Sequence, residues 1–118
     1  MLRRVPPPPV TYHLVPRAEW EAADPQQPYL PRAFAQDGFV HCTDGADEVA
    51  ATANRYYRSE PDLLVLTIQR DRLAAPVRYE DPQQIYPHIY GPVERVAVIA
   101  VQPMQRSEQG DWRPPAPA

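Results

Sequence analysis

The sequence predicts a single small α+β domain, and three observations carry that expectation. The chain has 118 residues, the common size of one domain, and about two thirds of its unfolded surface can be buried at that length. Its segments run strand, helix, strand, helix and then a series of strands, an order that segregates the elements instead of alternating them as a doubly wound parallel sheet does. Finally, it has no G-x-G-x-x-G and no Walker sequence, the glycine-rich loops that mark the common nucleotide-binding α/β folds.

Each element has a local reason. Residues 10–15 (Val-Thr-Tyr-His-Leu-Val) are β-branched, aromatic and apolar, and read as a strand stopped by Pro16. A short helix follows over Arg17–Ala23 with Trp20 as its buried anchor, and Asp24–Arg32 holds three prolines and reads as a loop. Asp37-Gly38 marks a turn, and Phe39–Cys42 is a short strand. Thr43 or Asp44 then caps the clearest helix, in which Ala46, Val49, Ala50, Ala53 and Tyr56 or Tyr57 recur at spacings of three and four. It should end near Ser59, before Pro61. Leu63–Ile68 is a continuous apolar run of strand length, which suits a central strand buried on both faces. Arg70–Leu73 suits one helical turn, Val77–Glu80 a short strand, Asp81–Pro87 a loop and Val96–Val101 the last strand. Residues 1–9 and 107–118 are proline-rich and read as loosely packed tails, leaving 10–106 as the folded domain.

Composition excludes several classes. Net charge is −3, so the whole-chain field does not favour a long nucleic acid. All 12 basic residues are arginine, which fits a genome-wide compositional bias more simply than a designed basic patch. No apolar run approaches the roughly 20 residues that span a bilayer, and Arg3-Arg4 lead into prolines instead of a signal-peptide core. A soluble cytoplasmic protein with no membrane partner is expected. Cys42 is the only cysteine, so it has no disulfide partner, and beside an apolar strand it reads as buried.

The three histidines are the starting point for chemistry, because imidazole titrates near neutrality without special tuning. His13 lies inside the first strand, His41 just before a helix start, and His88 in Pro87-His88-Ile89-Tyr90-Gly91. The glycine of that run permits close backbone approach to a ligand. Each ring alone suits a satisfied structural role, whereas three at element junctions suggest one shared cleft. The short spacings of zinc sites are missing, and His41 and Cys42 point to opposite strand faces, so no metal is expected.

Tyr12-His13, Glu19-Trp20, Gly38-Phe39-Val40-His41-Cys42-Thr43, Asn54-Arg55-Tyr56-Tyr57, Leu63-Leu64-Val65-Leu66 and Pro87-His88-Ile89-Tyr90-Gly91-Pro92 occur in that order. Over about residues 10–106 this resembles the bacterial family called domain of unknown function 952. That family is in turn similar to the ADP-ribosyltransferase superfamily, with a layout closest to RNA 2′-phosphotransferases. Tyr12-His13 and Val40-His41-Cys42-Thr43 match their two strand blocks, while Gly38 and Phe39 replace an arginine and a histidine.

The resemblance implies two small antiparallel sheets enclosing a cleft, with two flanking helices and NAD as cofactor. It implies catalytic roles for His13, on a ribose hydroxyl, and for His41 at a phosphate. Glu80, bordering the cleft, is the candidate acidic residue. Tyr12 and Tyr90 would stack on nicotinamide, and Thr43 would offer a phosphate seat at a helix N-terminus. His88 and Gly91 would line the cofactor site, with RNA or protein as the acceptor. Two other classes stay open: a nucleotide- or phosphate-binding module without turnover, and an acid–base enzyme acting on RNA or a phosphodiester through His13 and His41.

Overall fold

A computed structural model describes residues 6–117; Met1–Val5, half of the expected N-terminal tail, and Ala118 lie outside the described residues. The elements are β1 (Val10–Pro16), α1 (Arg17–Ala22), α2 (Phe34–Asp37), β2 (Val40–His41), α3 (Ala46–Tyr56), β3 (Leu63–Gln69), β4 (Val77–Tyr79), β5 (Pro87–Ile89) and β6 (Val98–Pro103). Single 3₁₀ turns cover Arg70–Arg72 and Arg95–Ala97. No helix among the described residues is long and apolar enough to cross a membrane.

The strands form two three-stranded sheets, both antiparallel, in the orders β1-β3-β6 and β2-β5-β4. They meet where Tyr12 and Thr43 exchange backbone hydrogen bonds of 3.0 and 2.8 Å. The expected α+β architecture with two small antiparallel sheets is therefore present.

β3 explains its own unbroken apolar run. Leu64, Leu66 and Ile68 face the core shared with the second sheet, beside Val15, Tyr29, Val40, Cys42, Ile89 and Val93. Leu63 and Val65 point the other way, into a core closed by Val49 and Ala53 of α3 with Leu14, Met104 and Trp112. Alternating side chains of one central strand thus feed two cores, which is why its run is apolar on both faces but for the buried Thr67.

Several expectations need correction. Neither Thr43 nor Asp44 caps α3; Gly45 does, at φ 90°, where a residue without Cβ is unstrained. α3 stops at Tyr56, one turn early, when Tyr57 leaves helical geometry. Pro87, read as the end of a loop, begins a strand, Pro87–Ile89, because β2 and β4 pair with it on both sides. Asp37-Gly38 is the C-terminus of a short helix, with the Gly38 N–H donating to Phe34 at φ 80°. Trp20 is only half-buried, set edge-on to Tyr29 with the Arg95 guanidinium over its ring. The segment after residue 106 is no loose tail either, because Trp112 is 4% exposed within the second core.

Candidate functional site

The register of the second sheet assembles the site. β2, β5 and β4 pair so that Val40, Ile89 and Val77 lie in one row, while His41, His88 and Arg78 lie in the next. The first row packs into the core, and alternation turns the second row to the opposite face. There the Phe39 ring stacks on His88 at 3.8 Å and 12°, and the His41 and His88 ring centres are 5.6 Å apart.

Each of these histidines has a carboxylate. Asp37, at the end of α2, lies 2.9 Å from His41 Nε2, and Glu80 lies 3.0 Å from His88 Nδ1. The Tyr90 hydroxyl donates to the same Glu80 oxygen, and Arg78 lies over the Tyr90 ring. The Tyr90 bond, followed by that of His88, holds the Glu80 carboxyl below the usual range, and Glu80 in turn pushes the Tyr90 phenol up. Glu80 is thus a fixed, ionised carboxylate at neutral pH.

This cluster borders a cleft of about 740 Å³, within the range of about 300–1,000 Å³ that small-molecule sites occupy. Phe39, His41, His88 and Glu80 line it, together with Tyr12 and His13 of β1 and Arg55, Tyr56 and Tyr86. The His41 side chain is 61% exposed and that of His88 20%.

His13 borders the same cleft but is turned inward and only 6% exposed. Its Nδ1 is 2.7 Å from the His41 carbonyl and its Nε2 2.9 Å from the Tyr29 hydroxyl. A carbonyl can only accept, so Nδ1 carries the proton and Nε2 accepts from Tyr29. Both ring nitrogens are occupied within the protein, and the ring clamps β2 onto β1. Burial lowers its pKa to about 4, which keeps it neutral.

The other expected site residues separate into two groups. Tyr12 is half-buried and lines the cleft, and Tyr90 holds Glu80. Thr43 and Gly91, by contrast, do structural work. Thr43 borders the cleft but is buried, its N–H donating to the Tyr12 carbonyl, and Asp47 and Glu48 in the first turn of α3 disfavour an anion there. A Cβ at Gly91 would lie 2.8 Å from that of Ala75, so this glycine admits a neighbouring segment and not a ligand. Phe39 and Asp37 went without a role in the sequence reading. The four-residue spacing of Asp37 and His41 brings side chains together only along a helix, whereas here the chain leaves α2 at Gly38 and enters β2 at Val40, so no local signal could have paired them.

Among the described residues no group of three or more His, Cys, Asp or Glu side chains is arranged to hold a metal ion. Burial raises the Cys42 thiol far above its usual range, which removes it as a nucleophile.

Comparison with known proteins gives the fold precedents and a family. The crystal structure of protein CC0527 from Caulobacter crescentus is similar with a TM-score of 0.75 at 23% identity, covering 88% of this chain and 93% of that one. The solution NMR structure of CC0527 gives a TM-score of 0.70 at 24% identity, covering 86% and 90%. No curated protein matches the chain. The model of the family described as "Protein of unknown function (DUF952)" matches residues 14–101, and the chain belongs to that family.

Proposed function

We propose that the cleft binds a dinucleotide of the NAD type and that the protein is an ADP-ribosyltransferase-like transferase, cleaving the nicotinamide–ribose bond for transfer to an acceptor. The observation that carries this reading is Glu80, ionised and held by Tyr90 and His88 at the cleft. Loss of nicotinamide builds positive charge on the ribose, and a fixed carboxylate beside it stabilises that charge without reorganising.

The charge distribution of the wall supports the same ligand class. Among the described residues, Glu19, Asp37, Glu80 and Asp81 line the cleft against a single arginine, Arg55. A polyanion such as a long RNA is repelled by that wall. A ligand with a cationic pyridinium ring at one end and phosphates at the other matches both signs. Aromatic surfaces from Tyr12, Phe39 and Tyr56 suit its flat rings. In this reading His41, oriented by Asp37, meets the ligand, and His13 holds the strand that carries it.

One observation favours a second reading. His41 and His88, each on its own carboxylate and 5.6 Å apart, form an acid–base pair for a small phosphodiester, in place of His13 with His41.

The test is calorimetric titration with NAD and ADP-ribose, together with chromatographic assay of nicotinamide release. Glu80→Gln is expected to keep NAD affinity within a few-fold and to slow release by about a hundredfold or more. Binding without release in the unaltered protein would identify a binding module. Cleavage of a cyclic phosphodiester, lost in both His41→Ala and His88→Ala, would establish the second reading.

A further inference from the structure

Arg55 is not explained by the Glu80 chemistry. It sits in the last turn of α3, exposed, and is the only arginine among the described residues lining the cleft. Its guanidinium lies 5.7 Å from the Tyr56 ring centre, and Tyr86, from the segment between β4 and β5, lines the same cleft; the two phenols raise the Arg55 pKa. Tyr86 is itself positioned by its backbone N–H, which donates to Asp81 at 3.1 Å. Ion pairs among the described residues involve Arg17, Arg58, His41 and His88, and none involves Arg55. Without an ion-pair partner among the described residues, the guanidinium keeps its charge for an incoming anion, although four carboxylates line the same cleft. Its planar fork also matches a phosphate at two oxygens.

We infer that Arg55, positioned by Tyr56 and Tyr86, is the phosphate subsite of the cleft and selects diphosphate-bearing nucleotides over phosphate-free nucleosides. This rests on the dinucleotide reading for its biological ligand, but the subsite can be probed without NAD. The competing role for Arg55 is to balance the free carbonyls at the C-terminus of α3, which predicts a small stability change and no effect on binding.

The experiment is calorimetric titration of the full chain with ADP, adenosine and inorganic pyrophosphate, alongside NAD, for the unaltered protein, Arg55→Gln and Tyr86→Phe. Thermal melting verifies that each variant is folded. ADP should bind at least tenfold more tightly than adenosine. Arg55→Gln should weaken ADP and pyrophosphate about ten- to hundredfold and leave adenosine unchanged. Tyr86→Phe should give a smaller loss confined to the same two ligands, which a merely structural tyrosine would not produce. ADP binding that depends on Arg55 in a protein indifferent to NAD would overturn the proposed function and leave this subsite standing. ADP bound no better than adenosine, no detectable binding of ADP or pyrophosphate, or ADP affinity unchanged in Arg55→Gln would overturn the subsite.

Discussion

His13 illustrates how a single side chain can be assigned by its bonds. The carbonyl of His41 and the hydroxyl of Tyr29 together select one neutral tautomer, and a second proton on the ring would have to displace the Tyr29 bond. Its folded pKa of about 4 lies below the ordinary 6.5, mainly because burial penalises the charged ring. The unfolded chain therefore binds more protons between those values. The stabilisation is complete above pH 6.5 and is lost as pH falls toward 4, at about 1.4 kcal/mol per pH unit. Urea unfolding of the unaltered protein and of His13→Gln, measured from pH 5 to 7.5, should show that slope in the first and a flatter line in the second. Parallel profiles would mean the ring is not held neutral. The same bonds explain why His13 looked catalytic in the sequence. It borders the cleft on an early strand, and only its inward orientation separates it from His41 and His88.

At the scale of elements, pairing register decides what the cleft contains. Moving β2 by one residue against β5 would turn Val40 outward and bury His41. β5 went unrecognised because a three-residue run that starts at a proline has no periodicity to read; its two neighbours make it a strand. Gly91, just beyond it, shows how tightly that segment is seated. Gly91→Ala brings a Cβ to 2.8 Å from Ala75, and should cost about 1–3 kcal/mol in urea unfolding. Adding Ala75→Gly to the same chain should recover most of that loss, since the contact needs both methyl groups. An unchanged midpoint in the single variant would show that the two segments part freely.

For the molecule as a whole, the C-terminal segment closes the second core. The Trp112 indole N–H donates to the Tyr57 carbonyl at 2.8 Å, and its backbone exchanges bonds of 2.7 and 3.1 Å with the Asn54 amide. Arg106 lies 3.7 Å from the ring centre and donates to the carbonyls of Arg58, Glu60 and Gly110. Trp112→Ala should therefore destabilise by about 3–5 kcal/mol in chemical denaturation. Truncation after Arg106 should lower the melting temperature at least as much. A truncated chain that melts like the full one would restore the view of this segment as a tail. Prolines at 114, 115 and 117 hid its role, because they argue against regular structure but say nothing about one buried indole.

What the sequence determined by itself is the set of elements whose residues carry a local signal. The β-branched run of β1, the three- and four-residue spacing of α3 and the apolar run of β3 each name their own structure, since propensity and periodicity act over neighbouring residues. The α+β class follows from their order, and His41, His88 and Glu80 were visible as chemistry-bearing types. Only the tertiary structure decided which of them share a site. Antiparallel pairing of β2, β5 and β4 brings His41, His88, Glu80 and Tyr90 together, while the same fold turns His13 inward and uses Gly91 for packing. The physical reason is that alternation along a strand sets only which residues share a face. Which face meets the core, and which strand lies alongside, depends on contacts between segments far apart in the chain.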